Sequence, residues 1–571
     1  MNKLILFFNM IIIGSTLSGS LLEHSNISFQ KKFERQWKNI CTNELEANPL
    51  EAAKKLSVTL ANKSKSGFFL GLSSSAYQFE GGIGQESSFH RFALKKCLTL
   101  PQNACNFWNN YPEMIKQMKD ECNINSYRMS ISWERIQKTK DSFDYEALDH
   151  YKKIIQELKK YAIEPLIVLH HYTIPTWFED IGGFEKEENI NYFVHFATEV
   201  YKTLAEEVTY WSTFNAIEGY AFKGYYTLDG APGIEKNLQK TAEVMLNMLK
   251  SHVEIYKQIK GFSLNLEDNT GLWHALQKEN PGKKYPEPLI GIQKNVIFLD
   301  IAYYTYAQCL KAPITGFLCS MGDTLQNKGF YGFFTHGIFS MYVPFMVSIS
   351  YKDNNAPHTL DWIGVNTYAN QKRYMMETME DQELLMTTQN KNYRFYPQSV
   401  YRAVKEIDKK FLKPRSFKKP LPPLPIWITE NGIAAHTDEQ RHSFFQQTLL
   451  GITKLVEDGH DIIGYTPWAS YDNYEWGAKL GEKRYGMFYV DFENPSQKPM
   501  LKNGSRYFAS FAQSFNPQTK DIHEKKNCHL NPYCNHMPGK PQLPNPHTRI
   551  KKSNYLNSTF RFLHWLFKKQ D

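Results

Sequence analysis

Pro425-Ile-Trp-Ile-Thr-Glu430 and Ile462-Ile-Gly-Tyr-Thr-Pro-Trp468 are short runs rich in β-branched and aromatic residues, and Glu439–Gly459 between them reads as a helix. A strand, a crossover helix and a second strand make a unit whose strands run parallel. The same alternation fills the chain from about residue 67. The further strand candidates are Phe68–Ser75, Asn125–Trp133, Glu164–His171, Thr209–Asn215, Leu289–Leu299 and Asp361–Asn366. Helical patterns cover Tyr145–Tyr161, Ile190–Glu206 and Lys240–Lys260, and two polar stretches, 260–288 and 370–395, fit loops over a rim. The eight candidates imply an α/β chain folded as a single (β/α)8 TIM barrel.

Polar and aromatic groups gather at the C-terminal ends of these candidates. Gln78 and Glu80 follow the first, Arg128 lies in the second and Trp133 ends it, and His170 and His171 end the third. Asn215 ends the fourth, Asn366 and Tyr368 the sixth, Glu430 and Asn431 the seventh, and Trp468 the eighth. One histidine or asparagine at a strand end is usually a hydrogen-bonded structural residue. Convergence of so many on the rim where barrels carry chemistry points to a site.

The composition bounds the function. The chain has 571 residues, 42% of them apolar and 15% aromatic, which excludes wholesale disorder. A net charge of +9 is modest for this length and gives no nucleic-acid footprint. The excess is local: Pro517–Asp571 carries ten Lys/Arg against three Asp/Glu. This basic, Pro-rich tail at 516–571 ends on Phe560-Arg-Phe-Leu-His-Trp-Leu-Phe567, an aromatic segment flanked by cations. It reads either as a surface packed on the barrel or as a peripheral membrane contact.

At the other end, Lys3, the apolar run Leu4–Ile13 and a small-residue stretch make residues 1–20 a secretory signal peptide, so export is expected. Residues 21–66 read as a helical extension and 67–515 as the barrel. Eight cysteines, at 41, 97, 105, 122, 309, 319, 528 and 534, are too few for a disulfide scaffold. His523, Cys528, Cys534 and His536 match no common zinc spacing, and neither metal nor cofactor is implied.

Six segments, in order, resemble glycoside hydrolase family 1, the β-glucosidases and their relatives. They are Phe69-Leu-Gly-Leu-Ser-Ser-Ser-Ala-Tyr-Gln-Phe-Glu-Gly81, Tyr127-Arg-Met-Ser-Ile-Ser-Trp-Glu-Arg-Ile136, His170-His-Tyr-Thr-Ile-Pro175 with Gly182-Gly-Phe184, Asp361-Trp-Ile-Gly-Val-Asn-Thr-Tyr368, Ile428-Thr-Glu-Asn-Gly432 and Gly464–Trp476. The resemblance implies that Glu430 is the nucleophile of a retaining β-glycosidase. It places Arg128 and Tyr368 against that nucleophile. It assigns Gln78, His171, Asn215, Glu475 and Trp476 to the nonreducing sugar, with Trp468 as the floor under its ring. A small carbohydrate or glycoside is then the expected ligand.

One motif departs. Where the family reads Thr-Phe-Asn-Glu-Pro, this chain reads Thr213-Phe-Asn-Ala-Ile-Glu218, so Ala216 stands at the general acid/base position. A methyl group carries no proton, and such help is typically worth about 10²–10⁴-fold. Glu218, two residues on, is a candidate substitute if it leans back over the site. Two readings follow: a retaining β-glycosidase with altered acid/base chemistry, or an inactive barrel that binds a sugar or a partner. A smaller departure follows Trp476, where the run to Arg484-Tyr485-Gly486 is one residue longer than the family's usual spacing. Trp177 and Phe178 either flank the entrance or pack.

Overall fold

All eight runs form parallel strands that close on themselves in chain order. They are β1 (Phe69–Ser73), β2 (Ser126–Ser130), β3 (Glu164–Val168), β4 (Tyr210–Asn215), β5 (Leu289–Asn295), β6 (Trp362–Asn366), β7 (Ile426–Glu430) and β8 (Ile462–Tyr465), with β8 pairing back onto β1. The computed structural model describes residues 35–41, 49–64, 67–262, 270–296, 298–301, 322–368, 370–373, 388–390, 395–418, 421–494 and 496–515. Residues 1–20, read above as a signal peptide, the tail at 516–571 and Cys309, Cys319, Cys528 and Cys534 lie outside these residues.

The two ends of the barrel differ in chemistry. Near the strand starts, Phe69, Tyr210, Trp362 and Trp427 fill the interior, with Trp427 stacked on Phe69 at 5.0 Å between ring centroids and Tyr210 edge-on to both. These rings close one end with apolar surface. Toward the strand ends the inward positions turn polar: Arg128, Asn215, Gln293, Asn366 and Glu430, all buried. Side chains alternate along a strand, so the neighbours of these residues face the helices instead.

The outer helices begin where the sequence offers a cap. Asp144 accepts a hydrogen bond from the Ala147 amide at the head of Tyr145–Lys160, Asn237 from Lys240 at the head of Leu238–Lys260, and Thr437 from Gln440 at the head of Asp438–Glu457. Gly432, just past β7, is required by close approach: a Cβ there would meet the Trp468 carbonyl oxygen at 1.9 Å.

Several expectations are refined. The reading of Leu289–Leu299 as one strand gives way to two, because β5 ends at Asn295 and Phe298–Ile301 pairs in parallel with Asn370–Arg373 outside the barrel. That pairing takes residues 370–373 out of the polar loop, and Leu272–Glu279 is a helix within 260–288. The segment before the barrel is part of its shell: Pro49–Lys63 packs on Asp438–Glu457 and Arg506–Ser514, burying Ala53, Leu56 and Leu60. No helix among the described residues is long and apolar enough to cross a membrane. Cys41, Cys97, Cys105 and Cys122 are free thiols.

Candidate active site

The polar end of the barrel is organised around one fully buried guanidinium. Arg128 on β2 is 0% exposed, and burying a charge is costly unless it is paired and hydrogen-bonded. Its Nη2 lies 2.7 Å from Glu430 Oε1 and donates to Asn215 Oδ1 at 2.8 Å and to Gln293 Oε1 at 2.6 Å. Its Nε also donates to Gln293 Oε1, at 3.1 Å. The barrel register brings these groups together: Asn215 lies beside Gln293 across β4 and β5, and Glu430 beside Asn366 across β6 and β7.

Glu430 is gripped on both oxygens. Tyr368 Oη donates to Glu430 Oε2 at 2.6 Å, opposite the Arg128 contact. Burial and the Glu430 charge push the Tyr368 phenol well above its ordinary range, so it stays a proton donor to the carboxylate. The carboxylate keeps 8% of its side-chain surface open. Paired with Arg128, held by Tyr368 and reachable from the rim, it has the attributes of a carboxylate nucleophile.

The Asn215 amide orientation follows from its partners. Its Oδ1 accepts from Arg128 and from Asn366 Nδ2 at 2.7 Å, which turns Nδ2 toward His171 Nε2 at 3.3 Å. Thr429 Oγ1 in turn donates to Asn366 Oδ1 at 2.7 Å. Burial, then the adjacent Arg128, lowers the His171 pKa well below the ordinary value, so the imidazole is neutral at physiological pH. Its neighbour His170 turns the other way, into a cage of Phe184, Phe193, Phe214 and Tyr220 rings. His170 is a packing residue, and only His171 joins the site.

The remaining expected sugar contacts form an aromatic wall. Trp468 Nε1 donates to Glu475 Oε1 at 2.8 Å. The His171 ring lies roughly parallel to both Trp468 and Trp476, with centroids 5.7 and 6.2 Å away. Gln78 is fully buried, donating through Nε2 to the Tyr474 carbonyl at 2.7 Å and Asn473 Oδ1 at 3.3 Å, and accepting from Ser75 at 2.8 Å. Burial raises the Glu475 pKa to about 7; Trp468, Lys483 and Lys223 oppose the rise and Glu430 adds to it.

The chain turns sharply after β4. Ala216 is buried, with φ 47° and ψ 69°, a left-handed conformation uncommon for a residue with a Cβ. Its amide donates to the Gln293 carbonyl at 2.9 Å, and the helix Ile217–Phe222 starts there. This turn defeats the substitute role expected of Glu218. That role requires an extended backbone, and the backbone is not extended. Glu218 Oε1 instead accepts from Lys294 Nζ at 3.1 Å and the Asn295 amide at 2.6 Å, with both side chains buried. Gln293 faces the barrel interior, so Lys294 and its partner lie on the opposite, helix-facing side.

Three groups escaped the sequence reading. Gln293 lies in a strand without a recognisable motif; its only signal is an amide near the end of a buried run. Lys223 and Tyr172 line a small cleft beside Trp476 together with Asp229, and only the fold brings them together. Trp177 and Phe178, by contrast, pack: Trp177 donates to the Gln137 carbonyl at 2.8 Å and Phe178 is fully buried.

The family model for glycosyl hydrolase family 1 matches residues 61–516. Among solved structures, a β-glycosidase from Pyrococcus horikoshii is 26% identical, with a TM-score of 0.61, covering 82% of this chain and 98% of its own. A β-glucosidase from Exiguobacterium marinum is 22% identical, with a TM-score of 0.62 and coverage of 79% and 98%. A Thermotoga maritima β-glucosidase, solved in complex with glucoimidazole, is 19% identical, with a TM-score of 0.62 and coverage of 79% and 98%. These likenesses share the barrel, and the family match runs through every strand that supplies the site. The chain belongs to glycosyl hydrolase family 1 and is a glycoside hydrolase by that membership.

Proposed function

We propose that the protein is a retaining β-glycosidase that cleaves the O-glycosyl bond of a β-glucoside or related β-glycoside through a covalent intermediate on Glu430. The observation that carries this reading is the double grip on Glu430, by Arg128 at 2.7 Å and Tyr368 at 2.6 Å. Both contacts favour the ionised carboxylate that must attack the anomeric carbon. Gln78, His171, Asn215, Trp468, Glu475 and Trp476 would hold the sugar.

Ala216 then occupies the acid/base position, and Glu218 is engaged elsewhere. The leaving oxygen receives no proton from the protein, and water is not deprotonated in the second step. Substrates whose aglycone is a good leaving group suit such a site; ordinary alkyl glycosides do not. The same alanine supports a second reading, a barrel that binds a sugar without turning it over. We also infer export through residues 1–20.

The test is release of 2,4-dinitrophenolate from its β-glucoside and β-galactoside, with and without azide. A burst, then slow turnover that azide accelerates, is expected, and Glu430→Gln should abolish both phases. Absence of burst and turnover with every donor would leave the binding reading.

A further inference from the structure

Arg128 Nη2 carries two hydrogens, and three oxygens lie within 2.8 Å of it. The hydrogens are aimed at Asn215 Oδ1 and Gln293 Oε1. Glu430 Oε1, 2.7 Å away, is left with no hydrogen bond among the described residues. The guanidinium therefore meets this oxygen as a charge and not as a donor. Gln293 does most to hold it so, because its Oε1 also takes the Nε hydrogen and fixes that edge of the guanidinium. Arginine only donates, so the amide must turn its oxygen to Arg128. Its Nε2 is then buried without a partner among the described residues, and so is Arg128 Nη1. A buried donor without an acceptor is costly. Arg128 and Gln293 carry that cost while a carboxylate oxygen stands within reach of the guanidinium.

This arrangement governs how firmly the charge on Glu430 is held. Oε1 is sealed from solvent, so attack on a sugar falls to Oε2. In the first step Oε2 bonds to C1, the leaving group departs with the electron pair of its own bond to C1, and the carboxylate becomes an ester. In the second step water or azide attacks C1, and the electron pair of the ester bond returns to Glu430. When water attacks, its proton passes to solvent. A charge-assisted hydrogen bond on Oε1 stabilises the carboxylate more than the ester. It therefore slows the first step and speeds the second. We propose that Gln293 is a positioning residue that keeps the Arg128 hydrogens off Glu430, so that the site forms its glycosyl-enzyme fast and releases it slowly. The inference rests on Glu430 acting as the nucleophile. Without the Gln293 oxygen, the Nε hydrogen and one Nη2 hydrogen lose their acceptor, and Glu430 Oε1, already 2.7 Å from Nη2, takes the second of these.

The experiment follows the two steps separately. Purified full-length protein is labelled with 2-deoxy-2-fluoro-β-glucosyl fluoride and with the galactosyl reagent, freed of reagent, and reactivated with azide. Intact mass counts labelled sites, so each first-order constant is read per competent site. Gln293→Leu removes the acceptor, Gln293→Met keeps the length with only a weak sulfur acceptor, and Gln293→Glu keeps an oxygen on Arg128. Both Gln293→Leu and Gln293→Met should label about tenfold more slowly and reactivate about tenfold faster than wild type. Gln293→Glu should keep the wild-type order of fast labelling and slow reactivation. If Gln293→Leu does not fold, the comparison of Gln293→Met with Gln293→Glu decides. A damaged site slows both steps, so opposed changes are the signature of a redirected hydrogen bond. Constants that fall together, that stay at the wild-type values, or that move apart in Gln293→Glu as well overturn the role of Gln293 and leave the nucleophile in place. A wild-type protein that takes no label from either reagent overturns this inference together with the glycosidase reading beneath it.

Discussion

Ala216 combines two unusual properties, a methyl group at the position proposed for the acid/base and a left-handed backbone. Left-handed geometry costs an L-residue about 1–2 kcal/mol relative to the right-handed helix region. That conformation is retained at a position where the side chain is only a methyl, because the amide is fixed to the Gln293 carbonyl and the next residue opens a helix. Ala216→Glu should therefore fold and regain a proton donor. Turnover of unactivated alkyl β-glycosides should rise by about 10²–10⁴-fold. Turnover of dinitrophenyl glycosides should change little in the glycosylation step, because that leaving group needs no proton. Steady-state and burst kinetics on both substrate classes make the comparison. An equal gain on both, or none on either, would show that position 216 does not face the leaving oxygen. Among single residues, the identity of the site was legible in sequence where a motif surrounds it, as for Glu430 and Tyr368. Gln293 was not, because its importance arises only from contact with Arg128 across the barrel.

Between strand and helix, the turn after β4 decides what Glu218 does. The pair of Glu218 with Lys294 joins the helix Ile217–Phe222 to the outer face of β5, at 1% and 0% side-chain exposure. Breaking a buried pair from one side leaves an uncompensated charge, at a cost of about 3–5 kcal/mol. Glu218→Gln should lose stability on that scale in urea unfolding, yet keep its rate per folded molecule on dinitrophenyl glycosides. The double variant Glu218→Leu with Lys294→Met should recover much of the loss, because neither charge remains buried. A single-variant loss below about 1 kcal/mol would place the pair in contact with water. The strands and long helices were legible because period-two and period-3.6 patterns, with Asp144, Asn237 and Thr437 as caps, report directly on backbone structure. The turn at Ala216 was not. Alanine carries no signal for a positive φ, so two-residue spacing along an assumed strand put Glu218 on the wrong face. The break at Val296 was hidden because the apolar run of Leu289–Ile292 resumes at Val296–Leu299, after only Gln293-Lys294-Asn295.

Across the barrel as a whole, buried imidazoles tie stability to pH. His252 is fully buried between the Thr213 hydroxyl and the Thr359 carbonyl, each 2.7 Å away, and burial lowers its pKa to about 4. His170, in its aromatic cage, is lowered to about 3. In the unfolded chain both should titrate near the ordinary value, about 6.5. Below that pH the unfolded chain takes up protons that the folded chain refuses. The stability due to each histidine is therefore complete above about pH 6.5 and is lost as pH falls toward its folded value. Glu475 and Glu80, both raised to about 7 by burial, act in the opposite sense: the folded chain keeps their protons between about pH 4.5 and 7, so their contribution is present at low pH and lost as pH rises. The two sets offset each other in wild-type protein, so a single pH curve would conceal both. The difference between wild type and His252→Gln isolates one imidazole. That difference in unfolding free energy should shrink by ~3 kcal/mol as pH falls from 7 to 4, whatever the fixed cost of the substitution. Urea unfolding at half-unit pH steps measures it. A difference that stays constant across the range would mean that His252 takes up its proton in the folded barrel as readily as in the unfolded chain.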